Sequence, residues 1–353
     1  MSGTSLDGID VALIRTDGEA LVERGPSHTY GYDAAFQAML KQAIADAADM
    51  TGRAARPGSL AYAERWITER HATAVRAYCR DKSISISDID VIGFHGQTVV
   101  HRPEIKLTVQ LGDGRELAKA LGRPVIHDLR AADVAAGGQG APLVPVYHRA
   151  LAAGLPERPI AFVNIGGVAN VTWIGRDGEL LAFDTGPGNA LINDWCKART
   201  GADYDEGGTL AAQGKVDHAA LAQLMGHPYF EEPPPKSLDR NSFAGLQLDH
   251  LSDADGAATL LRFTADSIRH AVEWLPEGPQ RWIVCGGGRK NLALMAALEP
   301  GFETSEHAGF DGDSMEAEAW GYLAVRSLKG LPITFPGTTR APEPMSGGVL
   351  AEP

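Results

Sequence analysis

The chain has 353 residues, 44% of them hydrophobic and 22% charged, and a net charge of −13. That length suits two domains or one bilobed unit with an ample core, and an acidic balance with no basic block argues against a nucleic-acid or anionic-membrane surface. Cys79, Cys196 and Cys285 are scattered without metal spacing, which speaks against a disulfide scaffold or a zinc knuckle. No apolar run reaches the roughly eighteen residues of a membrane span, and the first residues have neither the basic start nor the apolar core of a leader. A reducing cytoplasm is therefore the expected setting.

The chain opens on Ser2-Gly3-Thr4-Ser5-Leu6-Asp7-Gly8, a turn rich in glycine and hydroxyls, before an alternating run from Ile9 to Arg15 that reads as a strand. Such a turn can cradle phosphate or serve as a plain hairpin tip. A phosphate-binding hairpin has a strand on each side, yet only Met1 precedes this one. Either the fold tolerates a missing or very short strand, or the natural start lies upstream. Apolar stripes then predict helices over 34–48 (Phe36, Leu40, Ala43, Ala47) and 58–79 (Leu60, Ala63, Ile67, Val75, Cys79), with Trp66 and His71 as fillers.

Ile89 to Phe94 reads as a buried strand running into His95-Gly96-Gln97-Thr98. Polar residues just past a strand end lie where open α/β sheets place ligands. His95 and Gln97 are candidate sugar or phosphate contacts, with a turn-holding role as the alternative for His95. A strand over 106–111 and another at 124–126 follow. The glycine-dense stretch Gly137-Gly138-Gln139-Gly140 is read as the boundary between lobes, giving 1–135 and 136–353.

Three short strands with tight glycine turns, 159–165, 168–174 and the run into Phe183, read as a meander. It ends on Asp184, followed by Thr185-Gly186-Pro187-Gly188-Asn189 and a helix from Ala190 that carries Trp195. A carboxylate at a strand end, then glycines with free N–H groups, then a helix N-terminus, make an anion cradle beside a general base. A helix cap with turn-making glycines is the simpler alternative. Residues 227–243 form a proline-rich loop with Lys236 and Arg240 as its cations. A helix over 257–275 and a strand over 281–285 lead to Gly286-Gly287-Gly288, where backbone can approach a planar or anionic ligand closely. Neither Gly-x-Gly-x-x-Gly nor Gly-x-x-x-x-Gly-Lys-Ser/Thr occurs. A helix over 314–329 opens with Glu316 and Glu318.

Seven stretches, in order, resemble the anhydro-N-acetylmuramic acid kinase family of the actin/hexokinase/Hsp70 ATPase superfamily. They are Met1–Gly8, Phe94–Val99 with His101, Gly137–Leu143, Asn164–Asn170, Phe183–Asn189, Pro234–Ser237 and Cys285–Asn291. The resemblance implies an α/β, two-lobed actin-like ATPase (ribonuclease H-like) fold with duplicated mixed β-sheet cores flanked by helices, the tail left free to return to the N-terminal lobe. It makes Gly3, Thr4, Ser5, Leu6, Asp7 and Gly8 the first phosphate loop. Asp184 to Asn189, with Gly186, Gly188 and Asn189, becomes the second, Gly166 and Gly167 also bind the cofactor, and Gly286, Gly287 and Gly288 adjoin the adenosine. It implies ATP and Mg2+ as cofactors, Asp7 as an indirect magnesium ligand, and Glu316 with His95 and Gln97 near the sugar.

The implied reaction opens the anhydro bridge of 1,6-anhydro-N-acetylmuramic acid with water, Asp184 acting as base, and moves the γ-phosphoryl of ATP to O6. The product is N-acetylmuramic acid 6-phosphate, in peptidoglycan recycling. The partners are then an amino sugar and ATP, with no nucleic acid or membrane and a homodimer left open. A kinase for a different sugar and a non-catalytic nucleotide-binding member are the alternatives. Departures from the family's usual run occur before Ser2, at Leu238–Asn241, at Leu129 and at Thr338–Ala341.

Overall fold

The alternating run after the opening turn forms β1 (Gly8–Thr16), paired antiparallel with β2 (Val22–Gly31). Both belong to a computed structural model that describes residues 1–3, 6–238, 242–243 and 248–353. The β2 segment holds Gly25-Pro26. Here the two residues sit where the register shifts between Ala12 and Ile14, so they form an irregularity within a largely exposed strand. A Cβ at Gly25 would lie 2.9 Å from the Leu13 carbonyl oxygen, which is why glycine stands there.

Helix α1 (Ala34–Asp46) starts at Asp33, whose side chain accepts the Phe36 amide at 2.8 Å, and it buries Phe36, Leu40 and Ala43. Helix α2 (Leu60–Asp81) buries Leu60, Ala63, Ile67 and His71 along its stripe. Strand β3 is short (Ile92–Gly93). Strands β4 (Gln97–Arg102) and β5 (Leu107–Leu111) form an antiparallel pair, and α3 (Gly114–Leu121) is capped by Asp113. Strand β6 (Val125–His127) lies parallel to β3. Helices α4 (Ala131–Ala136) and α5 (Pro145–Ala152) follow.

Residues 155–313 form a second unit, apart from the first, which comprises 1–154 and 314–353. The stretch 137–140 lies inside the first unit because its backbone is bound there. The Gly140 amide donates to Asp133 Oδ2 at 2.6 Å, and the Gln139 amide donates to the Thr339 carbonyl at 2.6 Å.

The second unit is built on β7 (Ile160–Ile165), β8 (Val168–Ile174) and β9 (Leu180–Pro187), an antiparallel meander. Beyond α6 (Ala190–Thr200), α7 (His218–Met225) and α8 (Asp253–His270), β10 (Arg281–Cys285) joins parallel to β7. After α9 (Leu292–Leu298), β11 (Phe302–Thr304) joins parallel to β10. The sheet order is β11-β10-β7-β8-β9. Helix α8 begins earlier than its apolar stripe, because Ser252 accepts the Asp255 amide and caps it; residues 271–274 tighten into a 3₁₀ turn. Its Phe263 is fully buried against Phe230 and Phe243, at ring distances of 5.9 and 5.2 Å. Burying one such side chain is worth about 2–3 kcal/mol.

The chain then returns to the first unit through α10 (Met315–Leu328). Its Tyr322 hydroxyl donates to Glu19 O at 2.7 Å, and Arg326 donates to Gly18 O at 2.6 Å, tying the helix to the β1–β2 turn. A short helix, α11 (Pro336–Thr339), and β12 (Val349–Ala351), antiparallel to β6, close the chain. Gly93 lies directly under α10, where a Cβ would sit 2.1 Å from the Trp320 carbonyl oxygen. Each unit is thus mixed α/β. Among the described residues no helix is long and apolar enough to cross a membrane.

Candidate active site

In the first unit, the opening turn is held from beneath by the β3–β4 connection. The Ser2 hydroxyl lies 2.9 Å from Gly96 O and 3.1 Å from Gln97 Oε1, while Gln97 Nε2 donates to Gly3 O at 3.3 Å. His95 Nδ1 donates to Ser2 O at 2.8 Å, leaving Nε2 to accept from Arg130 Nη2 at 3.4 Å. These bonds describe a neutral imidazole, and burial together with the Arg130 charge holds its pKa well below the ordinary value. So His95 and Gln97, candidate ligand contacts in the sequence, spend these polar groups on Ser2 and Gly3. Leu6 adopts a left-handed backbone (φ 57°), Asp7 is exposed and Gly8 is buried; Thr4 and Ser5 lie outside the described residues.

Arg130, not among the residues expected at the site, is the hub beneath this loop. It donates to Gly140 O at 2.7 Å and lies over the Trp320 ring at 5.5 Å. The one available signal was its place just past a strand end, shared with many residues that do nothing. Glu316, in the first turn of α10, is open to solvent. The protein around its carboxyl raises the pKa, Arg130 opposes that, and Asp10 adds to it.

In the second unit, Asp184 lies on β9 and is gripped on three atoms by the 229–238 segment. Its amide donates to Lys236 O at 2.9 Å, its carbonyl accepts the Tyr229 hydroxyl at 2.5 Å, and its Oδ2 accepts the Leu238 amide at 2.7 Å. The carboxyl retains partial access to solvent, yet desolvation raises its pKa to about 7 against the lowering effect of the Leu238 amide. A carboxylate half-ionised near neutral pH is suited to taking a proton.

The glycine turn after it differs from the free-amide cradle expected. The amides of Gly188 and Ala190 donate to Gly167 O at 2.9 and 3.2 Å, and that of Asn189 to Gly166 O at 2.7 Å, because the β7–β8 turn packs against it. The N–H groups of Leu191 and Ile192, in the first turn of α6, keep no acceptor among the described residues. They are the ones a helix start offers to an anion.

The Gly286–Gly288 turn adjoins the same place. An added Cβ at Gly288 would meet Ile165 Cγ2 at 2.3 Å and Asn189 Nδ2 at 3.3 Å, whereas at Gly287 the nearest atom is Asn189 Nδ2 at 3.9 Å. Gly286 has φ 75°, and Arg289 holds its carbonyl at 2.9 Å while paired to Glu306 and Asp313. Gly287 thus presents an open face between two closed neighbours, as close approach of a flat ligand requires.

No group of three or more His, Cys, Asp or Glu side chains that could hold a metal occurs among the described residues. A magnesium ion carried on substrate phosphates and touched by one carboxylate does not need such a group.

A family model described as anhydro-N-acetylmuramic acid kinase matches residues 1–352. A protein of Rhodopseudomonas palustris (strain BisB18) bearing that name is 54% identical over 359 positions, covering 100% of this chain and 98% of its own length. A namesake from Rhizobium etli is 53% identical, covering 100% of this chain and 97% of its own length. Among solved structures, the activator of the 2-hydroxyisocaproyl-CoA dehydratase from Clostridium difficile with bound ADPNP aligns over 91% of this chain and 96% of that one. At 12% identity and a TM-score of 0.43, that likeness is too loose to carry a conclusion.

Proposed function

The chain belongs to the anhydro-N-acetylmuramic acid kinase family, and from that premise we propose that it hydrolyses the anhydro bond of 1,6-anhydro-N-acetylmuramic acid while phosphorylating O6 with ATP. The observation that carries the reading is Asp184, whose carboxyl has a pKa raised to about 7 and is aimed by the Leu238 amide. In this reading Asp184 takes a proton from water as the water oxygen bonds to the anomeric carbon. The C1–O6 bond breaks, and O6 takes the γ-phosphoryl group, leaving ADP and the 6-phosphate. General-base help of this kind typically contributes about 10²–10⁴-fold.

The first unit carries the first phosphate loop, Gly3 to Gly8. Its Ser2 and Gly3 ends are fixed by His95 and Gln97, which act here as loop holders. The second unit carries the second loop, Asp184 to Asn189, packed against Gly166 and Gly167, with the first-turn amides of α6 as its donors to phosphate. The open face of Gly287, between Gly286 and Gly288, adjoins the adenosine. Glu316, beside Arg130, is the carboxylate left to face the sugar. Magnesium on the ATP phosphates would neutralise charge during transfer, with the exposed Asp7 able to reach it through water.

Because the reaction consumes ATP and yields a sugar phosphate, we place the enzyme in the cytoplasm, in recycling of peptidoglycan sugars. The net charge of −13 disfavours a nucleic-acid partner. The test is ADP release from magnesium-ATP with and without the anhydro sugar. Sugar-dependent release with a 6-phosphorylated product by mass is expected; release indifferent to the sugar would overturn the reading.

A further inference from the structure

Lys236 is the cation of the proline-rich loop, and a surface charge would be the simplest account of it. Its side chain is instead buried, at 6% exposure. The ammonium donates to Tyr229 O at 2.9 Å and lies 4.5 Å from the Tyr229 ring centre and 5.2 Å from that of Trp274. No carboxylate stands within ion-pair distance of it among the described residues. An unpaired buried ammonium is costly, and this cage of one carbonyl and two ring faces offsets the cost.

The geometry of the cage explains its use. Lys236 bridges the two ends of the segment that holds Asp184. Its side chain is fixed to Tyr229, whose hydroxyl holds the Asp184 carbonyl, and its own carbonyl accepts the Asp184 amide. Two residues on, the Leu238 amide reaches the Asp184 carboxyl. The donor to the Asp184 carboxyl, the donor to its carbonyl and the acceptor of its amide therefore share one fastening point.

We propose that Lys236 is a positioning residue for Asp184, its ammonium pinning the 229–238 segment so that the Leu238 amide stays on the carboxylate. The proposal rests on the reading of Asp184 as the base. It gives the ammonium no contact with substrate: one N–H is held by Tyr229 O and the charge faces the Tyr229 and Trp274 rings.

Replacing the ammonium with a methyl-ended stem of similar length, Lys236→Met, keeps the packing and removes the fastening. The Leu238 bond favours the ionised form of Asp184, so losing it raises that pKa. The neighbouring titratable groups are the Tyr229 phenol against Asp184, and Glu231 and Glu232 acting on Lys236. None of them is altered by the substitution.

The experiment measures kcat and KM against pH for the full-length enzyme and Lys236→Met, alongside a carboxyl-carbon NMR titration of Asp184 assigned by its loss in Asp184→Asn. The expected result is kcat down about tenfold at neutral pH, KM for ATP within about twofold, and the acid limb of kcat moved up by about one pH unit together with the NMR titration. A lowered melting temperature with limb and titration unmoved would reduce Lys236 to a packing role and overturn the proposal. So would a rise in KM for the sugar with an unmoved limb, which would make it a substrate contact. If Lys236→Met does not fold, Lys236→Gln removes the charge and shortens the fastening, and should move the titration the same way; no movement overturns the proposal. Should the wild-type enzyme fail to turn over the anhydro sugar, the functional reading fails, and the NMR titration still decides the role of Lys236.

Discussion

The two glycine loops assigned to phosphate are held by different means. In the first unit, Ser2 and Gly3 are gripped by His95 and Gln97, side chains more than ninety positions away in the chain. In the second, Gly188, Asn189 and Ala190 are knitted to Gly166 and Gly167 by backbone bonds between adjacent turns of one sheet. A loop held by buried side chains loosens when one of them is replaced or charged. A loop held by backbone survives side-chain changes and fails when a glycine gains a Cβ. The imidazoles with lowered pKa, His71, His95, His101, His127 and His148, all belong to the first unit, as does the raised carboxyl of Glu316, whereas the carboxyl raised to about 7, Asp184, belongs to the second.

The largest expected effect tests the second unit. Asp184→Asn leaves the backbone bonds of its loop in place, so ATP should bind as before while kcat falls about 10²–10⁴-fold, by calorimetry and by ADP release. Full turnover in this variant would place the base elsewhere. The same substitution should raise the melting temperature. A folded pKa above the unfolded value favours the protonated form, so the wild-type protein loses stability as pH rises from 3.8 through about 7. The gap between variant and wild type should open over that window, reaching at most about 4 kcal/mol and less because the carboxyl is partly open to water.

Acid should weaken the opposite unit. His71 and His148 are buried and lowered to about 3, so their contribution is complete above pH 6.5 and is lost as pH falls toward that value. Hydrogen exchange, corrected for intrinsic rate, should show residues 1–154 losing protection between pH 6.5 and 4, by a few kcal/mol in all. Equal loss in residues 155–313 would break the comparison.

Glycine substitutions come next. Gly288→Ala drives a methyl into Ile165 and should cost about 1–3 kcal/mol in denaturant titration, whereas Gly287→Ala meets open space and should leave stability within about 0.5 kcal/mol. KM for ATP should nevertheless rise in Gly287→Ala if its open face receives the nucleotide. The smallest effect is expected at Gln97→Leu, which frees Ser2 and Gly3 from one holder of two. A rise of about threefold to tenfold in KM for ATP with kcat little changed is expected, corresponding to about 1 kcal/mol for the lost hydrogen bonds. An unchanged KM would mean His95 alone suffices.

The sequence by itself determined the mixed α/β class. It also determined the apolar runs that become β7 and β10, the amphipathic stripes of α1 and α2, and the glycine turns that follow β7 and β10, whereas the strand expected to end on Asp184 runs on to Pro187. These are local properties: side-chain period, turn chemistry and capping act over a few residues and can be read from them. Tertiary structure alone decided that β9 continues past Asp184 to Pro187, paired with β8. It also decided that Gly188 and Asn189 spend their amides on the neighbouring turn, that His95 and Gln97 face Ser2 and Gly3, and that Lys236 is caged behind Asp184. The reason is the same in each case. A polar group's composition tells what it can bond, but which partner it meets is set by packing that brings together segments tens of residues apart, and no local period records that distance.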